Sequence, residues 1–412
     1  MTKSPLHPSQ HPKDLPWGLA WRIAIGQIVA WGTLFYGFSV IAGPMETSTG
    51  WSKQFINAGL SLGLLVWGIG AAPVGSWIQR NGGHSVMTLG SLVGGLSLIL
   101  MGGWVNPVVY VASWITLGAA MAALLYEPAF AVITVAFHSH YKRGIILITL
   151  VAGLASSVFI PATAYLVKLW DWRSALITLG IIQLFIGVPL HYFGMPRGLI
   201  VEGLQTVSLQ IPLRLRLKNW LAGLRQELTD RRFICLAFWF STHAAAFSGL
   251  TFLLIPMNKS LAFDPSTLMF AIALIGPMQI TGRLVLAFYG EHFSALQVGA
   301  WAMASLILAA GFLLIHPPSV TALFLFAMLY GTGNGLMTIV KGTAVAELFG
   351  RERYAELNGL LAAPAVLAKA GSPLLLAALW SATDSPRVAI ASVMVLLFAG
   401  FVCLLGAKEQ RD

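Results

Sequence analysis

Acidic residues are scarce: Asp and Glu number 15 in 412 residues, and all charged residues together make up 10%. Soluble domains carry about 25% charged side chains, so a wholly water-facing surface is excluded. Cysteine is nearly absent, and Cys235 and Cys403 both fall inside apolar runs. That rules out a disulfide framework and offers no metal-ligand spacing; the pair reads as core packing. A zinc-protease helix motif and a nucleophile elbow are also missing, so the chain is not read as an enzyme. His138-Ser-His140 has no further ligands beside it, and neither a metal nor any other cofactor is expected.

What fills the chain is hydrocarbon, at 57% hydrophobic residues. A bilayer core is spanned by about 20 apolar residues in helix. Twelve such runs are predicted near 19–42, 54–79, 85–103, 108–137, 143–168, 174–195, 232–257, 265–289, 293–315, 319–348, 355–380 and 386–406. The expected fold is an all-α membrane protein with twelve transmembrane helices in two six-helix halves. The predicted division is a tail over 1–18, a first half over 19–195, a linker over 196–231, a second half over 232–406 and a tail over 407–412. Trp51, Trp104, Trp170, Trp172 and Trp380 fall at predicted helix ends, where indole prefers the headgroup layer. Met1 to Pro16 is polar and the first run is long, so no removable signal peptide is read.

The net charge of +10 would suggest nucleic acid in a soluble protein, but its distribution points elsewhere. Assigning loops alternately places seventeen Lys and Arg on one side, including seven in the central break, and five on the other. That is a positive-inside bias, predicting a multi-pass protein of the cytoplasmic (inner) membrane with both termini cytoplasmic and no nucleic-acid partner. In the break, Leu213, Leu217, Trp220, Leu221, Leu224 and Leu228 recur at helical spacing among arginines. This pattern fits a basic amphipathic helix on the membrane face, or a solvated linker.

Two apolar runs carry a lone cation. Leu357 to Trp380 holds Lys369, and Ser266 to Tyr289 holds Arg283, with no carboxylate in either run. A buried ammonium costs about 2.5–3.5 kcal/mol on insertion scales, so such cations face a cavity, a partner or a ligand. Glu127 is the only acid well inside a span, and His243 and Lys341 are the other ionisable groups singled out there. All five fall on helices 4, 7, 8, 10 and 11, leaving the interiors of helices 3, 6, 9 and 12 without them. Glu127 reads as a candidate proton carrier, or as one partner of an ion pair with Lys341 or Arg283. Pro128 should kink helix 4 and free backbone carbonyls. Lys341 reads as structural and His243 as a hydrogen-bonded helix contact or a cavity residue. Trp31, Phe35 and Phe38 recur at i, i+4 and i+7, as do Phe240, His243 and Phe247 at i, i+3 and i+7; each set is a packing stripe or a cavity wall.

A constant shift of 212 residues aligns Pro44-Met45 with Pro256-Met257, Gly70 with Gly282, Phe137 with Phe349 and Pro161 with Pro373. Many transporters are built from such repeats. The loop Gly75-Ser-Trp-Ile-Gln79-Arg80-Asn-Gly82-Gly83-His84 resembles the Gly-x-x-x-Asp-Arg-x-Gly-Arg-Arg signature of the major facilitator superfamily. Gln79 stands where the acid would be, and Gly83 and His84 where the basic pair would be. That resemblance implies a gating role for Gly75, Arg80 and Gly82.

Within the superfamily the chain resembles the monocarboxylate and oxalate/formate branches, through Tyr36, Gly43-Pro44, Gly50-Trp51-Ser52, Tyr141-Lys142-Arg143, Gly153, Pro161 and Asp171-Trp172-Arg173. The likeness implies that Arg283 and Lys369 hold a carboxylate, with Gln279 one turn before Arg283 where monocarboxylate carriers have an aspartate. Tyr36 and Trp31 would line the same site. The expected function is therefore a monomeric, alternating-access secondary transporter of a small organic anion, symport or antiport, coupled to protons. An efflux pump for drugs or toxicants, an uptake carrier for a vitamin-like nutrient, and a receptor that moves no solute are the competing readings.

Overall fold

A computed structural model describes residues 15–198, 229–261, 263–315 and 317–406. All regular structure among them is helical. Twelve helices are long and apolar enough to cross a bilayer. These are α1 (Trp17–Thr49), α2 (Lys53–Asn81), α3 (Gly83–Gly103), α4 (Pro107–Ala136), α5 (His138–Leu169) and α6 (Trp172–Tyr192) in one half. The other half holds α7 (Arg231–Leu261), α8 (Pro265–Tyr289), α9 (Ala295–Leu313), α10 (Val320–Phe349), α11 (Tyr354–Thr383) and α12 (Pro386–Gly406). The expected amphipathic helix falls on residues outside the described ones. An even number of crossings puts Trp17, Tyr192, Arg231 and Gly406 on one face, called here the terminal side.

The predicted boundaries hold within a few residues except at the end of α1. The first run is predicted over 19–42, yet the helix continues through Pro44 to Thr49 and ends at Gly50, whose φ of 70° is the left-handed value glycine accepts. Helices starting on the far side are capped by Ser52, Asn106, Asp171, Asp264 and Ser319, whose side chains accept first-turn N–H groups. The Ser174 N–H, foremost, holds the Asp171 carboxyl below the usual carboxylate range. The repeat is visible in the same elements: α2 and α3 begin at Lys53 and Gly83, and 212 residues on α8 and α9 begin at Pro265 and Ala295. Trp172 departs from the belt expected of it. It is buried, and its indole donates to Ser48 Oγ at 2.6 Å.

Four helices are irregular where they pass the centre; one of them, α5, is interrupted at Gly153-Leu154. Helix α1 carries a π-bulge over Gly32–Tyr36, and α6 another over Gln183–Gly187. Thr33 joins the two bulges, its Oγ1 lying 3.0 Å from Gln183 Oε1. Helix α4 breaks at Leu125, where the backbone turns extended before a second helical segment begins at Tyr126. Pro128 has no N–H for the Leu124 carbonyl, as expected, and Gln27 of α1 donates to that carbonyl instead at 2.5 Å. One polar seam was not foreseen: His191 on α6 is buried with its Nδ1 2.7 Å from Ser91 Oγ on α3.

The halves meet on the terminal side. A Cβ on Gly75 of α2 would lie 2.2 Å from the Ala355 carbonyl of α11, and one on Gly359 would lie 2.4 Å from the Ala71 carbonyl. Only glycine allows that approach. Within α5 it is the segment Tyr141–Ala152 that packs on α8 and α10, and within α4 the segment Tyr126–Ala136 that packs on α10 and α11. The remaining lengths, Pro107–Leu124 and Ala155–Leu169, pack within their own half. The described bundle is thus closed toward the terminal side and parts toward the far side.

Candidate substrate site

Aromatic rings from three helices of the first half gather just inside that closure. Trp31 lies 5.5 Å from Phe35, 6.0 Å from Tyr36, 5.9 Å from Trp67 and 4.9 Å from Tyr126, centroid to centroid. The π-bulge explains why Tyr36 belongs to this group and Phe38 does not. An extra residue in the turn sets the helix phase back by one position, so Tyr36 joins Trp31 and Phe35, while Phe38 rotates onto Trp114 at 4.7 Å in the core of its half. The expected Trp31, Phe35 and Phe38 stripe is corrected accordingly. Both Trp31 and Trp67 are buried with indole N–H groups that lack a partner among the described residues.

Lys369 of α11 reaches across from the second half into this group. Its Nζ sits 4.6 Å from the Phe35 ring centroid and 5.7 Å from that of Trp67. Ring faces attract a desolvated cation by about 2 kcal/mol, which offsets part of the burial cost. No ion pair of Lys369 occurs among the described residues. Glu127 lies within electrostatic reach of Lys369 and of Lys341, yet its Oε2 is buried without a hydrogen-bond partner. The alternative reading of Glu127, as partner in an ion pair with Lys341 or Arg283, finds no such pair among the described residues. Glu127 stands in the first turn of the second α4 segment, where unpaired N–H groups and the helix dipole favour negative charge. Lys341 likewise has no ion pair among the described residues; its Nζ faces the Phe240 ring at 6.0 Å.

Arg283 is buried at 4% exposure, so it does not reach the headgroups. Its Nη1 donates to the Thr149 carbonyl of α5 at 2.8 Å and its Nη2 to Thr338 Oγ1 at 3.4 Å, while Nε is unpartnered. The first bond crosses between the halves. It is possible because Gly153 leaves room: a Cβ there would lie 2.1 Å from Nη1. The guanidinium acts electrostatically on the hydroxyls of Tyr36 and Tyr126, which ties it to the aromatic group. Gln279, one turn earlier and half-buried, sets its backbone against Gly335 of α10. His243 is buried and its Nε2 lies 2.9 Å from Asn334 Oδ1, with the Phe247 ring stacked at 6.5 Å. His243 is thus a hydrogen-bonded helix contact whose Nδ1 remains unpartnered.

A family model for the Major Facilitator Superfamily matches residues 23–319. The chain belongs to that superfamily. Among solved structures, the human organic anion transporter MFSD10 (TETRAN) is similar with a TM-score of 0.75 and 16% identity, over 96% of this chain and 100% of that one. The E. coli fucose:proton symporter FucP is similar at 0.73 and 11% identity, over 96% and 99%. FucP in the outward conformation gives 0.73 and 11% over 94% and 98%. No curated protein sequence matches the chain.

As a major facilitator the chain is a multi-pass membrane transporter rather than an enzyme, and its signature loop can be placed. Gln79 stands in for the missing acid with its amide: Nε2 donates to the Glu352 carbonyl and Oε1 accepts from Ala355 N–H at 3.2 Å, both at the start of α11. Gly75 makes the close helix approach described above, Gly82 ends α2 at a φ of 77°, and Arg80 is exposed. A second clasp joins the other pair of helices. Lys142 of α5 pairs with Glu347 of α10 at 3.1 Å and donates to the Phe293 carbonyl at 3.2 Å. Trp67, Tyr126, Asn334 and Gln27 were missed in the sequence. Tyr126 could have been found from its place before Glu127-Pro128; an aromatic or an amide in an apolar run gives no such signal for the others.

Proposed function

We propose that this facilitator carries a small organic anion across the cytoplasmic membrane, with coupling to protons. One observation carries the reading. The Lys369 ammonium lies between the halves over two aromatic faces and has no ion pair among the described residues. An anion arriving from outside supplies the missing charge, the two indole N–H groups offer it donors, and the rings select its shape. The description of similar MFSD10 as an organic anion transporter supports the charge class. Glu127, held near both lysines with its Oε2 lacking a hydrogen-bond partner, is the group that takes up and releases the proton. With the positive-inside assignment the terminal side is cytoplasmic, so the described state opens outward, like the FucP state of that description. Tilting the halves would carry the site to the other side.

The test is uptake of labelled organic anions by the full chain in proteoliposomes. Lys369→Ala should abolish uptake while the protein still inserts and elutes as a single species; undiminished transport would remove Lys369 from the site. Glu127→Gln should retain exchange and lose accumulation driven by a pH gradient. Accumulation at the parent level would take the proton role from Glu127.

A further inference from the structure

Gln27 carries no charge and lies below the aromatic group, fully buried in α1. It nevertheless makes a short bond between helices, Nε2 to the Leu124 carbonyl of α4 at 2.5 Å. In an unbroken helix that carbonyl would accept from the N–H of the residue four places on. Here that residue is Pro128, which has none. The chain turns extended at Leu125, with φ −71° and ψ −156°, and a fresh segment starts at Tyr126. Pro128 then falls in the first turn of the new segment, where no N–H is needed.

The same face of α1 holds the other side of the break. Gln27 and Trp31 are one turn apart, and the Trp31 ring lies 4.9 Å from Tyr126. Gln27 therefore secures the last carbonyl before the break while Trp31 seats the first ring after it. Tyr126 and Glu127 owe their direction to that arrangement. A continuous α4 would advance the helix phase past Leu125 and turn both side chains to another face.

We propose that Gln27 is a positioning residue for the substrate site: its side-chain amide replaces the N–H that Pro128 lacks, and so keeps α4 broken where Tyr126 and Glu127 meet Lys369 and Trp31. The consequence for transport rests on the proton role given to Glu127. The placement itself does not.

The test reads Glu127 directly, as site-resolved labelling by a hydrophobic carbodiimide in proteoliposomes of the full chain, with Glu127→Gln as the blank. Gln27→Met keeps the length and removes the donor, and should lower Glu127 labelling roughly tenfold. In a Pro128→Ala background the helix supplies its own N–H, so adding Gln27→Met should change labelling by less than about twofold. An equal loss in both backgrounds, or no loss in either, would overturn the proposal, because a glutamine that merely fills space is indifferent to residue 128. Should Gln27→Met fail to fold, the Gln27→Met/Pro128→Ala pair must recover a monodisperse protein; failure of both variants alike also overturns it. If Glu127→Gln leaves gradient-driven accumulation intact, the proton role falls, and labelling still decides the role of Gln27.

Discussion

An arginine whose head rests on bare backbone has its geometry set by its neighbour's lack of a side chain. Arg283 meets Thr149 across the halves only because Gly153 has no Cβ, which would stand 2.1 Å from Nη1. Gly153→Ala should displace the guanidinium and lose a charge-assisted hydrogen bond of about 1.5–3 kcal/mol, lowering anion affinity roughly tenfold or more. Substrate-dependent thermal shifts in detergent measure this, and an unchanged affinity would separate Arg283 from the site. Lys369 and Glu127 were legible as single charges in oil, since few side chains are so costly there. Their surroundings were not. Trp67 is one more apolar residue in an apolar run, and nothing in its neighbours foretells that its ring lies under Lys369.

At the scale of the helix, the spans could be read because length and apolarity decide them, and the Pro128 break because proline removes a known hydrogen bond. The two π-bulges could not, since periodicity assumes a constant turn per residue and a bulge resets the phase. The bulge in α1 is closed by the Gly37 N–H bonding to the Gly32 carbonyl at 2.9 Å. Deleting Leu34 would convert that span to an ordinary helical turn, leaving the residues after it in place but taking away the wide turn that sets Phe35 and Tyr36 beside Trp31. Such a variant should insert normally and yet lose substrate binding by about tenfold or more, as an aromatic cage out of register no longer closes. Equilibrium binding on the purified variant checks it; affinity equal to the parent's would mean that the bulge does not set the cage.

Across the whole molecule the repeat makes the two closures counterparts. The last turn of α2 reaches the start of α11 through Gln79, and the α8–α9 loop reaches the start of α5 through Phe293 and Lys142. Between them, Gly75 and Gly359 bring α2 and α11 together backbone to backbone. Gly75→Leu places a branched side chain where no Cβ fits, so it should shift the population away from the described state toward the one open on the terminal side. Spin labels on the terminal ends of α5 and α10 would report a longer distance in the variant than in the parent. An unchanged distance distribution would mean that the glycine contact is not what holds this face shut. The paired halves were legible from the shift of 212 residues. Which face they close was not, because it depends on how two rigid bodies lean together.

The clasps differ in kind: Gln79 works through a neutral amide, while Lys142 and Glu347 hold each other by opposite charges. Dissolved ions weaken the second and are without effect on the first. In brine the two bodies would accordingly come apart from one edge, like a book opened against its spine, instead of lifting evenly.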